Sequence, residues 1–126
     1  MLSEKEVENI CRKAKEGKLS EIAAFLKDKL GSRLTTLISG KHDASILDLW
    51  ISGQEKPTNI EELRLRYGYE ATALVVAEFG AETARAWFMG THEELNDGSP
   101  ACWLADHEKE EDLKLVVSDV KGFLYR

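Results

Sequence analysis

Residues 59–80 read NIEELRLRYGYEATALVVAEFG, and this stretch decides the fold class. Leu63, Tyr67, Ala71, Leu74 and Val75 recur at three- and four-residue spacing, the period of one helix face rather than of a strand. Asn59 and Glu62 are spaced as a capping box, and Gly80 supplies the stop. The pattern predicts a helix over about 60–79, the longest in the chain. Proline occurs only at 57 and 100, no segment alternates, and β-branched residues do not cluster. The chain therefore reads as all-α.

Toward the C-terminus, a helix over about 81–89 carries Ala84, Trp87 and Phe88 and stops at Gly90. Thr91 and Glu94 are spaced to cap a single turn, and Asn96-Asp97-Gly98 forms a tight turn in which Gly98 is expected to take positive φ. Ser99-Pro100 opens a short helix to about Asp106. The last helix, about 108–124, turns Leu113, Val116, Val117, Val120 and Leu124 to one side. Its acidic start, Glu108, Glu110, Glu111 and Asp112, complements the helix dipole, and Gly122 is expected to mark where the tail turns away.

Toward the N-terminus, Ser3 and Glu6 form a capping box for a helix bearing Val7, Ile10, Cys11 and Ala14 and ending at Gly17. A second helix from Leu19–Ser20 presents Ile22, Ala23, Leu26 and Leu30 before Gly31. Ser32 is placed to cap a helix reaching Ser39, with Leu34, Leu37 and Ile38 inward. After Gly40, Asp43 is placed to cap a helix holding Ile46, Leu47, Trp50 and Ile51, which Gly53 ends. Two short helices joined by a Gly-containing turn match a helix-turn-helix in outline. The expected organisation is a helix-turn-helix-like bundle over 1–58, joined by the long helix to a small helical C-terminal domain within 59–126.

The composition limits what such a chain does. It has 126 residues, 43% of them hydrophobic and 32% charged, the balance of a folded globular domain. Its net charge is -6. Residues 1–70 hold 12 basic and 12 acidic side chains, whereas residues 71–126 hold 5 and 11, so the whole surplus is C-terminal. Bulk nucleic-acid binding needs the opposite sign. The start, MLSEKEVENICRK, lacks the apolar core of a signal peptide, and Cys11 and Cys102 show no CxxC spacing. Reduced thiols and a cytoplasmic location are expected. His42, His92 and His107 are isolated in sequence and are expected to be exposed or capping. Gly40-Lys41 precedes His42 rather than Ser or Thr, and neither GxSxG nor GxGxxG occurs. No catalytic residue, metal ligand or cofactor is expected, and the chain reads as a non-enzyme.

The stretch Thr83-Ala-Arg-Ala-Trp-Phe-Met-Gly-Thr-His-Glu-Glu-Leu-Asn-Asp-Gly-Ser-Pro-Ala-Cys-Trp-Leu104 resembles the C-terminal domain of Xre/ParS-type antitoxins. Trp87, Phe88, Leu95, Gly98, Pro100 and Leu104 fill that family's pattern, and the final Val116, Val117, Val120 stripe fits it. Upstream, Trp50-Ile51-Ser52-Gly53 resembles the Trp-x-x-Gly closing the family's helix-turn-helix, and Leu63-Arg64-Leu65-Arg66 resembles the start of its linking helix. The similarity covers roughly residues 31–126. It implies an antitoxin that neutralises a RES-type toxin, an NAD-consuming protein, by placing its C-terminal end at the toxin's cleft. Here that end holds Lys121, Phe123, Tyr125 and Arg126, an ending unlike the family's commoner Tyr-Gly. It also implies repression of the chain's own promoter and a homodimer.

The residues themselves hold two further readings open. One is a DNA-binding transcription regulator without a toxin, with Ser45 facing bases and Arg33 and Lys41 reaching phosphates. The other is a helical interaction module whose helix-turn-helix is degenerate, with Leu49 as an apolar surface residue. Residues 31–56 hold three basic and three acidic side chains, and Leu49 stands where the family often has Arg. DNA binding is therefore expected to be weak.

Overall fold

The computed structural model describes residues 2–125 as eight α-helices: α1 (Glu4–Glu16), α2 (Leu19–Leu30), α3 (Ser32–Ser39), α4 (Ser45–Ser52), α5 (Asn59–Phe79), α6 (Ala81–Met89), α7 (Pro100–Asp106) and α8 (Glu110–Leu124). A 3-10 turn, Glu93–Leu95, lies between α6 and α7. The chain is all-α, with no strand among the described residues beyond an isolated bridge between His92 and Gly98.

The central helix is α5, against which α1, α2, α3, α6, α7 and α8 pack, while α4 is carried by α2 and α3. Residues 68–75 are consecutively buried, so this helix is enclosed on all sides rather than along the single face its spacing suggested. Gly68 admits two neighbours at once. A Cβ there would stand 3.1 Å from Ile38 Cγ2 of α3 and 3.6 Å from Leu104 Cδ1 of α7. One buried cluster runs from Leu2 to Val120 and draws on both 1–58 and 59–126. Trp50, Trp87, Phe88, Leu95, Pro100 and Leu104 are all buried in the fold.

Several boundaries differ from expectation by small amounts, with local causes. The capping box of α5 is Thr58 with Glu61, one residue earlier than Asn59 with Glu62. Glu61 is fixed there because its carboxylate also meets Lys41 at 3.1 Å. Gly31, at φ 89°, takes the N-cap place expected of Ser32. Thr91 and Glu94 do not form a box, since His92 occupies the N-cap of the 3-10 turn. The positive φ values fall on Asn96 (55°) and Asp97 (61°) rather than on Gly98: they follow the 3-10 turn and reverse the chain so that Gly98 returns to His92. Helix α8 continues through Gly122 to Leu124 without turning away.

The larger departure is in α3. Its buried residues are Thr35, Thr36, Ile38 and Ser39, while Leu34 and Leu37 are half exposed. Both leucines still pack against the core, and local bonds let the hydroxyls lie inward beside them. Thr36 Oγ1 donates to the Ser32 carbonyl at 2.7 Å and Ser39 Oγ to the Thr36 carbonyl at 2.6 Å, so two of the three buried hydroxyls are satisfied within the helix.

Arginines bind the helix ends together. Helix C-termini carry unpaired carbonyls and partial negative charge. Arg64, buried in α5, donates through Nε and Nη2 to the His107 carbonyl (3.2 and 3.0 Å) and through Nη1 to the Ser39 carbonyl (3.2 Å). It therefore joins the ends of α3 and α7. Arg66 Nη1 donates to the carbonyls of Ala14 (3.0 Å) and Gly17 (2.9 Å) at the end of α1, and Arg85 Nη1 to that of Lys29 (2.9 Å) at the end of α2.

Replacing Arg64 by Met keeps the stem and removes three charged donors, so unfolding free energy should fall by about 2–4 kcal/mol. Gly40→Ala should act on the same contact. Its φ of 94° disfavours a side chain, and the added Cβ would stand 2.6 Å from Arg64 Nη1. Urea melts of both single variants and the double variant check this. The two losses should be clearly sub-additive, and simple additivity would separate Gly40 from the arginine clamp.

Candidate functional site

The C-terminal half brings together residues that are far apart in sequence. The reverse turn after α6 delivers His92 onto α8, where its Nδ1 lies 2.6 Å from Asp119 Oδ2. Its Nε2 lies 3.0 Å from the Trp87 carbonyl. A carbonyl only accepts, so Nε2 carries a hydrogen. Nδ1 faces the carboxylate at ion-pair distance. Both ring nitrogens are therefore occupied by the protein itself, and the pair is a pin between α6 and α8 rather than a general base open to substrate. The Trp87 ring completes it, standing edge-on to His92 at 4.9 Å and to Phe88 at 5.0 Å. Burial, followed by repulsion from Glu94, pushes the Asp119 carboxyl above its ordinary value, while the His92 charge pulls it back.

Beside this pin lies an open groove of about 410 Å³ lined by Glu94, Leu115, Ser118, Asp119 and Gly122. Gly122 here leaves room in the groove wall, with nothing near the position its Cβ would take. Four large apolar side chains are prominently exposed among the described residues: Phe79 (50%), Met89 (63%), Leu115 (43%) and Tyr125 (50%). Three of them belong to the last turn of α5 and to α8 with its following residue. Phe123 is half buried, its ring 5.5 Å from that of Phe79, so one expected tail anchor is partly held by the fold. Tyr125 and Lys121 are exposed, and Arg126 lies outside the described residues.

The other histidine of this half is also engaged. His107 stacks on Trp103 at 3.8 Å, and its Nδ1 lies 2.7 Å from the Trp103 carbonyl. The expectation of exposed or capping histidines holds: His42 is exposed, His92 is the N-cap of the 3-10 turn and His107 the C-cap of α7, although the side chains of the last two are half buried and engaged as well. The sequence signal that was available is the pair Trp87 and His92 flanking a Gly-ended helix. Its partner Asp119 is 27 positions beyond His92 and no local spacing points to it.

The candidate DNA-contacting residues lie on α3, α4 and the turn between them. Arg33 and Ser45 are exposed. Lys41 is also exposed but is paired with Glu61, and Asp48 is paired with Lys27 at 2.7 Å. Asp43 Oδ1 accepts the backbone N–H of Ser45 at 3.0 Å, at the head of α4. Hydrogen bonds from Ser45 hold the Asp43 carboxyl below the usual carboxylate range. A negative charge therefore occupies the helix N-terminus where a phosphate would otherwise be attracted. Leu49, on the same helix, is half buried.

No group of three or more His, Cys, Asp or Glu residues is arranged to hold a metal among the described residues, and no described helix is long and apolar enough to cross a membrane. Neither a family model, nor a curated protein, nor a solved structure matches the chain.

The pin has a pH signature. A carboxyl whose folded value is raised favours the folded state most when protonated, and that contribution is lost as pH rises from the ordinary value of 3.8 through the folded one. Asp119→Asn removes this titration. The stability of the wild-type chain relative to Asp119→Asn should therefore fall as pH rises from acid toward neutrality, measured by urea melts across that range. A relative gain for the wild type over the same interval would mean that the carboxylate is stabilised in place, contrary to its burial.

Proposed function

We propose that the chain is an antitoxin-like protein that binds and neutralises a RES-type toxin through its C-terminal half. The observation that carries this reading is the placement of exposed Phe79, Leu115 and Tyr125 on the end of α5 and on α8 with its tail, in the half that holds the entire net negative charge. Exposed aromatic and aliphatic anchors flanked by charge are what a protein partner uses for affinity. The similarity of residues 83–104 to the Xre/ParS pattern gives the partner its class, and the burial of Trp87, Phe88, Leu95, Pro100 and Leu104 assigns those residues to the platform rather than to contact.

A protein partner fits the charge distribution better than DNA does. The basic groups of the α3–α4 region are few, Lys41 is neutralised by Glu61, and Asp43 guards the head of α4. Repression of the chain's own promoter is then a secondary role, requiring a second copy or the toxin to add contacts.

The test is co-expression of the full chain with the product of the adjacent reading frame. The two should co-purify, and growth and cellular NAD should recover. Tyr125→Ala and Leu115→Asp should weaken neutralisation while leaving the melting temperature near that of the wild type, because both side chains are exposed. Trp87→Ala should instead cost about 3–5 kcal/mol and lose neutralisation through unfolding. An adjacent product that is not toxic, or that does not associate, overturns the reading.

A further inference from the structure

We propose that the apolar groove between α3 and α6 docks an amphipathic helical segment of a partner protein whose apolar stripe is flanked by carboxylates. The groove has a volume of about 580 Å³ and is formed by Leu30, Leu34, Leu37 and Met89 with Arg33 and Arg85. Its floor exists because Leu34 and Leu37, which pack on the core, stay half exposed beside the buried hydroxyls of α3. Met89, at the end of α6, stands out at 63% exposure, and an unbranched thioether adapts to a partner surface at little cost. Spaced apolar anchors along one helix are the complement of such a groove.

Charge selects the occupant. The lining contains two arginines and no acidic residue. Arg33 is exposed and makes no hydrogen bond or ion pair among the described residues. Arg85 commits Nη1 to the Lys29 carbonyl, which orients its guanidinium while leaving further N–H groups to donate. Guanidinium groups beside an apolar floor suit carboxylates on either side of an apolar stripe. A second copy of this chain docking through the same face would oppose arginine to arginine. A nucleic acid would set phosphates over leucine and methionine. The groove shares no lining residue with the one beside α8, so the assignment stands apart from the proposed toxin surface.

A displayed peptide library with a fixed helical Leu stripe and randomised flanking positions tests this against the full chain. Asp and Glu should be enriched at the flanks. A fluorescent peptide made from the enriched sequence should bind, and Arg33→Glu and Met89→Asp should each weaken it by about tenfold. Both residues are exposed, so the melting temperature should not move, and selection against Arg33→Glu should favour Lys and Arg at the flanks instead. Enrichment without acidic preference, or binding indifferent to Met89→Asp, would overturn the proposal. So would a mixed-sequence DNA duplex whose binding is lost on Arg33→Glu and kept on Met89→Asp, because that outcome assigns the face to phosphate.

Discussion

Carbonyl groups at helix C-termini must find donors, and in this chain arginine side chains supply them across helix boundaries. Arg64 is the centre of that system. It reaches the Ser39 and His107 carbonyls together, so the ends of α3 and α7 are held at fixed distance from the first turns of α5. A lysine would place one point charge where the guanidinium places a planar fork. Gly40 is needed because the fork passes where its side chain would be, 2.6 Å from the position of a Cβ. Gly68, one turn further along α5, lets Ile38 and Leu104 close on the same helix. Polar clamp and apolar packing thus converge on the first half of α5, and the helices that follow inherit their positions from it.

That arrangement constrains function through charge. Arg64 and Arg66 are directed toward backbone carbonyls, which removes them from any role as a mobile basic surface, and Arg85 is oriented by one such bond. Lys27 and Lys41 are matched by Asp48 and Glu61. Of the three cations in residues 31–56, Lys41 is neutralised by Glu61, which leaves few for the helix-turn-helix-like region to offer. A partner that depends on phosphate contacts would find few to displace counterions. The exposed side chains that remain unusual are apolar, and two separate grooves are built around them.

Much of the fold was legible because helices punctuated by glycine are a local property. Gly17, Gly31, Gly40, Gly53, Gly80 and Gly90 end helices where the apolar spacing stops. Two kinds of feature were not legible. The first is which face of a short helix turns inward. Over the eight residues of α3, apolar spacing points Leu34 and Leu37 to the core, yet they only line its edge, because intrahelical bonds from Thr36 and Ser39 let hydroxyls lie deeper. The second is pairing at long range. Asp119 reads as an ordinary polar position of an amphipathic helix until a turn with Asn96 and Asp97 at positive φ brings His92 to it. The residues that resemble the Xre/ParS pattern sit in the core, so that resemblance speaks mainly of the scaffold. The exposed residues that a partner would touch are the ones it constrains least.

The half-exposed leucines of α3 and the capped head of α4 both depart from the surface of a DNA reader. A helix-turn-helix that reads DNA leaves the head of its second helix open, because its backbone N–H groups and positive dipole attract phosphate. Here Asp43 closes that site with its own carboxylate, and the hydrogen bonds from Ser45 extend its ionisation to lower pH than for an ordinary aspartate. Helix α3 leaves Leu34 and Leu37 half exposed, and they line a groove with Arg85 and Met89 of α6. The outline of a DNA reader therefore does not by itself supply the electrostatics of one, since Asp43 caps the second helix and Glu61 pairs the lysine of the turn.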